Sequence, residues 1–383
     1  MRVAVLGATG SVGRQALAVL PKIGGEAVSL AARHASPSLL EAACHHRPHL
    51  IATAERPTED FVRALPEGIE IAWGEGALDA AALAGDPDVV LVAVTGIHGL
   101  RPTLSALASG RRVALANKET LVTGGDLVMA AAEAGQIVPA DSEHAAVHHL
   151  LGGRPWHPGQ RIWITGSGGA LRDWSIQRLR EATPDDVLRH PTWRMGPKVT
   201  VDSATLANKG LEVIEAHHLF AAPYESISVT IHRDSLVHGL VEEADGSFKA
   251  EIAAADMALP LARALAWPNP VPDLAGRLVP TDLPPLAFEA VDQRRYPFLN
   301  AAYAAGKMGG IFPAVLNAAN DEAVGLFLEG RIPFSDIYRL TAQVLDLAVR
   351  EDAGGPVTLE GLLERDAWAH RVIRTAQEKG RFP

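Results

Sequence analysis

Over the first 140 residues, short runs of Val, Ile and Leu alternate with longer stretches in which apolar residues recur at helical spacing. The runs at 3–6, 27–31, 49–52, 69–72, 89–94, 112–116 and 136–139 are apolar on both faces of an extended chain. Strands of a sheet covered on both sides have this character. The intervening stretches, such as 11–20 and 119–134, are rich in Ala and Leu, and Pro21 and Gly135 stand at their ends. This alternation predicts an α/β domain over 1–140, with a doubly wound, Rossmann-like parallel sheet.

After residue 140 the pattern changes. Segments 226–232, 236–243 and 247–252 read as antiparallel strands, with Asp245-Gly246 as the turn between the last two. Helical stretches flank them, which predicts an α+β domain over 141–267. Seven prolines between 268 and 297 predict an extended linker, and the Ala/Leu-rich remainder, 298–383, a small helical domain.

Composition narrows the function. With 48% hydrophobic and 21% charged residues the chain is ordinary globular protein. A formal net charge of −10 argues against broad binding to nucleic acid or an anionic membrane, and leaves room for a local basic pocket. The single cysteine, Cys44, excludes an internal disulfide, a Cys-rich zinc site and a CxxC redox pair, and fits a reducing cytoplasm. Met1 leads directly into the first apolar run, so no signal peptide is expected, and the apolar runs are too short to span a bilayer.

Candidate chemistry sits at two places. Gly7-Ala-Thr-Gly10-Ser-Val-Gly13 follows the first predicted strand and opens the first helix. Glycines there allow a tight turn and let backbone N–H groups approach a pyrophosphate, which points to a dinucleotide. The second strand ends Ala31-Ala32-Arg33-His34, with a cation where an NAD-binding domain usually has an acid for the ribose. Arg33, with His34, would pair with a 2′-phosphate, which favours NADPH.

The second place is acidic. Asp141 and Glu143 follow the last strand of the first domain, and in extended backbone they would point the same way. Helical spacing from Asn208 puts Glu212 and Glu215 on one face. Several carboxylates without thiol ligands suit a hard cation such as Mg2+ or Mn2+. Thr165-Gly-Ser167-Gly-Gly169 has the composition of a phosphate cradle, and Ser203, Asn208 and Lys209 flank the second acidic cluster. The run from His190 through Trp193 and Met195 to Lys198 reads as a loop, with Trp193 either covering a ligand or packed in the core.

Together GATGSVG, ALANKETLV, PADSEH, GSGGALRDW, HPTWRMGPKVTVDSATLANKGLEVIEA and HRDSLVHGLVEEADGS resemble the 1-deoxy-D-xylulose 5-phosphate reductoisomerase family. The resemblance spans nearly the whole chain. It implies conversion of 1-deoxy-D-xylulose 5-phosphate to 2-C-methyl-D-erythritol 4-phosphate in non-mevalonate isoprenoid synthesis. It also implies NADPH, a divalent cation (Mg2+, Mn2+ or Co2+) and a homodimer. By the same resemblance Asp141, Glu143 and Glu212 would be metal ligands, with Glu215 close by. Ser142, Ser167, His190, Ser203, Asn208, Lys209 and Ser235 would hold the substrate, with Lys118 at its hydroxyls. Trp193 and Met195 would belong to a lid, and His238 would lie near the phosphate. Gly7, Thr9, Gly10, Ser11, Val12, Gly13, Asn117 and Glu119 would contact the cofactor, with Arg33 and His34 at the 2′-phosphate. Lys118, Glu143 and Glu215 are the candidates for catalytic roles. The family often has Gly at the place of Ala32, Asn at that of His34 and Pro-Phe at that of Ala170-Leu171.

Two other functions fit parts of the sequence. A semialdehyde dehydrogenase shares the glycine pattern but needs a catalytic cysteine, and Cys44 lies in a helical stretch far in sequence from the acidic clusters. A non-catalytic NADPH-binding protein would not need the full set of acids and Lys209, all of which are present.

Overall fold

The computed structural model describes residues 1–189, 192–193, 195–274, 276–351 and 357–379. Each of the seven apolar runs of the first part forms a strand: β1 (Arg2–Leu6), β2 (Glu26–Ala32), β3 (Leu50–Thr53), β4 (Glu70–Trp73), β5 (Val89–Val92), β6 (Arg112–Leu115) and β7 (Ile137–Pro139). All pair in parallel, in the order β4-β3-β2-β1-β5-β6-β7. The central strands β1 and β5 carry the most uniformly apolar runs and are buried, whereas β4 at the edge exposes Glu70 and Trp73. Strand order reverses between β1 and β5, and ligands of such sheets bind outside the carboxyl ends of the strands at this point.

The first compact unit comprises Met1–Thr120, Val128–His148 and Asp256–Arg277. The helix Ala258–Ala266 joins it for a plain reason. Leu261 and Leu265 lie one turn apart and, with Ala264, pack into the core formed by Leu20, Leu30, Leu39 and Leu91. The Leu265 carbonyl, in the helix's last turn, accepts a 2.7 Å hydrogen bond from Arg112 Nη2.

The second unit comprises Leu121–Leu127, His149–Ala255 and Leu278–Pro383. Its sheet contains β8 (Arg161–Gly166), β9 (Ile227–Ile231), β10 (Val237–Glu242), β11 (Phe248–Ile252) and β12 (Glu289–Ala290), in the order β11-β10-β8-β9-β12. The three strands expected here are present, but they do not form one antiparallel set. β10 pairs antiparallel with β8 and β11, while β9 runs parallel to β8 and never meets β10. A parallel return needs a long crossover, supplied here by the helices Pro197–Thr205 and Ala207–Phe220. The β10–β11 turn is as expected: Gly246 takes a φ of +84°, and Glu243 N donates to Ser247 O at 2.8 Å.

Four helices follow: Pro297–Met308, Phe312–Leu328, Phe334–Glu351 and Leu359–Glu378. The helix Phe312–Leu328 is apolar nearly all round and is buried accordingly. The two compact units therefore cut across the division at 140, 267 and 297. Residues 141–148 count with the first sheet, and the C-terminal helices count with the second. The proline-rich stretch carries a single 3-10 turn, Pro280–Asp282, and the two-residue β12 among its described residues. No helix among the described residues is long and apolar enough to cross a membrane.

Candidate active site

In the second unit the site starts where β8 ends. Ser167-Gly168-Gly169 turns the chain with φ of +82° and +73° at the two glycines. Gly169 lies against the helix Pro197–Thr205 so closely that a Cβ would stand 2.5 Å from Ala204 Cα and 2.7 Å from Ser203 O. That helix stops at Leu206, which adopts a left-handed φ of +55°, and the next helix begins at Ala207 without a side-chain cap. The single reversed residue puts Ser203 on one side of the break and Asn208 and Lys209 on the other.

One turn further, Glu212 is buried at 1% exposure. A buried carboxylate is costly unless both oxygens are satisfied. Here Asn208 Nδ2 donates to Oε1 at 2.5 Å and Lys209 Nζ to Oε2 at 2.6 Å. The i+4 and i+3 spacings that bring them together are those of one helix face. Glu215, one turn on, is also fully buried.

Two more segments of this unit carry expected residues. Ser235 holds a left-handed φ of +53° and donates its N–H to His232 O at 3.2 Å. His238, on β10, is buried, and its Nε2 lies 3.2 Å from Ala253 O, so this nitrogen carries the proton. Trp193 is half-buried with its ring edge-on to His238 at 6.1 Å, and Met195 is half-buried.

In the first unit Leu115 and Pro139 are register partners at the ends of β6 and β7. Lys118 and Asp141, a few residues past those ends, meet: Nζ lies 2.6 Å from Oδ2, with both side chains about nine-tenths buried. Asn117 caps the helix Lys118–Ala131 by accepting from Thr120 N at 3.0 Å, and its Nδ2 donates to Val94 O at 2.9 Å and Glu119 Oε2 at 2.8 Å. Asn117 and Glu119 thus fix the start of the helix that bears Lys118. Glu143 corrects the expectation of an extended Asp141–Glu143 pair. It sits in the first turn of the helix Ser142–Leu150, because Ala145 N bonds Asp141 O at 2.8 Å and closes a helical turn. The two carboxylates still converge, with an oxygen of each within 4.8 Å of the other, and Ser142 Oγ donates to Glu143 Oε2 at 2.5 Å.

At the switch point, Gly7 has a φ of +96° and a Cβ on it would lie 2.3 Å from Ala93 O at the end of β5. Only glycine fits there. The loop is tied to β2 through Gly7 N and Ala8 N, both donating to Ala31 O. It leads into the helix Ser11–Val19, whose N-cap Gly10 supplies no side-chain acceptor. Its first-turn N–H groups therefore form an anion-ready end. Gly13 packs against Gly7 O, and Thr9, Ser11 and Val12 are half-buried along the loop. Arg33 and His34, just past β2, are exposed, and His34 Nδ1 lies 3.5 Å from Glu55.

Three family models match successive parts of the chain: 1-deoxy-D-xylulose 5-phosphate reductoisomerase over residues 3–125, its C-terminal domain over 137–220, and the DXP reductoisomerase C-terminal domain over 252–372. The 1-deoxy-D-xylulose 5-phosphate reductoisomerase of Thermosynechococcus vestitus is 40% identical, over 99% of this chain and 94% of that protein. The one from a Cyanothece species is 41% identical, over 98% and 99%. The chain belongs to the 1-deoxy-D-xylulose 5-phosphate reductoisomerase family. Solved structures agree. A DOX-P reductoisomerase in complex with NADPH, fosmidomycin and magnesium superposes with a TM-score of 0.89 at 34% identity, over 99% of this chain and 98% of that one. The reductoisomerase from Zymomonas mobilis in complex with NADPH gives 0.86 at 36%, over 98% and 99%.

Within each unit, the residues that the reductoisomerase resemblance singled out fall together rather than scattered. Lys118, Asp141, Ser142 and Glu143 group in the first; in the second, Ser203, Asn208, Lys209 and Glu212 flank one break between helices, and the turn that bears Ser167 packs on it through Gly166 and Gly169. His190 lies outside the described residues. His144 was missed by sequence reasoning. It is buried, and its Nδ1 lies 3.4 Å from Asp141 Oδ1. Its signal was its place three residues after Asp141, one helical turn on, which becomes visible only once the segment is known to be a helix and not extended chain.

Proposed function

We propose that this chain converts 1-deoxy-D-xylulose 5-phosphate to 2-C-methyl-D-erythritol 4-phosphate, using NADPH and a divalent cation (Mg2+, Mn2+ or Co2+). The observation that carries this is the buried Lys209–Glu212 pair, with half-buried Asn208 on the same carboxylate, beside the loop after β8, in a chain alignable with named reductoisomerases almost end to end. Charges buried this deeply are weak stabilisers of a fold and strong candidates for chemistry.

Asp141, Glu143 and Glu212 are assigned to the cation. Their donor set fits: three carboxylates and no thiol, with Glu212 already held by two donors on its own helix. When bound, the cation supplies Lewis-acid polarisation of the substrate's oxygens, and NADPH supplies the hydride. Three carboxylates against a divalent ion leave one negative charge in excess, which the Lys118 ammonium beside Asp141 offsets, so the Lys209 ammonium on Glu212 leaves one positive charge for the substrate phosphate. Lys118 and Glu143 are the candidates to move protons at substrate hydroxyls, and Glu215 is assigned a supporting role close by. Ser142, Ser167, His190, Ser203, Asn208, Lys209 and Ser235 are assigned to the substrate, mainly its phosphate. Trp193 and Met195 are assigned to a cover that excludes water, with His238 beneath Trp193. Gly7, Thr9, Gly10, Ser11, Val12 and Gly13 receive the pyrophosphate, and Asn117 and Glu119 fix the helix nearby. A homodimer in a reducing cytoplasm completes the proposal.

The test is NADPH absorbance with the sugar phosphate, with and without Mg2+. Decay that requires both supports the proposal, and no decay in the presence of both defeats it. Fosmidomycin, bound in a relative's structure, is expected to stop that decay.

Two substitutions probe the binding groups. Lys209→Ala removes a buried ammonium, and charge-assisted hydrogen bonds are worth about 1.5–3 kcal/mol. The KM for the sugar phosphate is expected to rise by about 10- to 100-fold. An unchanged KM in steady-state assays removes Lys209 from the phosphate site. Arg33→Asp reverses an exposed charge at the end of β2. NADPH affinity is expected to fall by about 10-fold, with NADH affinity little changed. Equal effects on both dinucleotides, in a direct binding titration, exclude 2′-phosphate recognition by Arg33.

A further inference from the structure

Two of the loops assigned above to the substrate phosphate, those of Ser167 and Ser235, are joined by a residue that lies on neither serine. Arg172 follows the double-glycine turn, and its side chain is 19% exposed. Its Nη1 donates to Ser167 O at 2.9 Å and to Arg233 O at 3.1 Å. One nitrogen thus bridges the loop after β8 and the loop between β9 and β10. Both loops contain residues in the left-handed region, each with a short-range hydrogen bond of its own, Gly169 N to Ser167 Oγ and Ser235 N to His232 O. Gly168 and Gly169 are left-handed, and Ser235 takes the same region with a side chain, at φ +53°.

Further ties surround the bridge. Arg233 Nη1 lies 2.6 Å from Asp173 Oδ1, next to Arg172, and its Nε lies 2.5 Å from Glu289 Oε1 at β12. Tyr296 Oη donates to Gly168 O at 2.9 Å, and Arg295 donates to Leu171 O at 3.2 Å and to Trp174 O. The Arg233–Asp173 pair also joins the two loops, but at their exposed rim, whereas Tyr296 and Arg295 hold only the loop after β8. Arg172 is the one among the described contacts that donates to both loops from a single atom.

We infer that Arg172 is a positioning residue for the substrate phosphate: it sets the distance between the serine-bearing loops of β8 and β9–β10 without touching the substrate. The inference rests on the assignment of Ser167 and Ser235 to the phosphate. The guanidinium spends these hydrogen bonds on two backbone carbonyls that hold the serine loops, so its loss should appear in binding of the sugar phosphate and not in the hydride step.

The experiment compares Arg172→Ala, Arg172→Lys, Ser167→Ala and Ser235→Ala in steady-state assays of the Mg2+-loaded enzyme. Arg172→Ala is expected to raise the KM for 1-deoxy-D-xylulose 5-phosphate at least tenfold, with kcat lowered less than threefold and the KM for NADPH unchanged. Millimolar guanidinium is expected to restore part of that KM, and Arg172→Lys to lie between, since an ammonium can also reach two acceptors. A KM within twofold of the parent for Arg172→Ala, with a raised KM for Ser167→Ala, overturns the inference alone. A common loss in kcat and in both KM values, with a lowered melting temperature and no rescue, also overturns it, by showing a general structural role. Unchanged KM values in both serine variants would defeat the phosphate assignment, and the inference with it.

Discussion

Glu212→Gln is expected to lower kcat by about 10²–10³-fold, the scale on which loss of a group stabilising developing charge is felt. The carboxylate is 1% exposed and takes one hydrogen bond on each oxygen, from Asn208 and from Lys209. A carboxamide of the same shape offers one acceptor to these two donors, and its nitrogen would face an ammonium or an amide group. The substitution also removes the charge that Lys209 Nζ meets at 2.6 Å. Removing one partner of a buried pair costs about 3–5 kcal/mol of stability in the worst case. Activity must therefore be compared well below the melting temperature of the variant. Two readouts separate the effects. Added Mg2+ should activate the variant only at concentrations far above those the parent requires, because one of three proposed ligands is gone. NADPH affinity should stay within about twofold, since Glu212 is assigned to the cation and the cofactor's pyrophosphate to the glycine loop after β1. Turnover near the parent value would reject Glu212 as a metal ligand.

Gly169→Ala is expected to be the most damaging single-methyl change in the second unit. Two costs add. A left-handed φ of +73° is strained for alanine by about 1–2 kcal/mol. The new Cβ would also stand 2.5 Å from Ala204 Cα and 2.7 Å from Ala204 N, and neither is a side chain that can turn aside. Forcing such overlap costs about 1–3 kcal/mol more. A total loss of about 2–5 kcal/mol is expected in urea unfolding. The KM for the sugar phosphate should rise as well, because relief of the clash moves the Ser167 turn off the helix that carries Ser203. Unfolding and KM both within error of the parent would show that the turn is looser than its geometry implies.

These two residues differ in how far the sequence exposes them. Glu212 is legible: Asn208, Glu212 and Glu215 recur at one-turn spacing, and the helix Ala207–Phe220 is there. Gly169 is legible only in part. Its neighbours Thr165 and Ser167 suggest a phosphate cradle, yet the demand for glycine comes from the approach of Ser203 and Ala204 in the helix Pro197–Thr205, more than thirty residues later. Arg172 gives no local signal, because its role depends on carbonyls at Ser167 and Arg233 that lie far apart in the chain.

By itself the sequence determined the seven parallel strands, the glycine turn after β1, the polar stripe on one helix and, through its motifs, the family. All of these are properties of neighbouring residues: apolar run length, turn chemistry and spacing along one face. The tertiary structure alone decided that β9 lies beside β8 and not β10, and that Ala258–Ala266 packs on the first core. It also decided that Glu143 enters through a helix and that Lys118 reaches Asp141. The physical reason is the same in each case. Periodicity states which face of a segment must be buried, but many distant surfaces would satisfy that demand. Only the pairing and crossovers of the complete chain select one, and with it the side chains that meet at the ends of the strands.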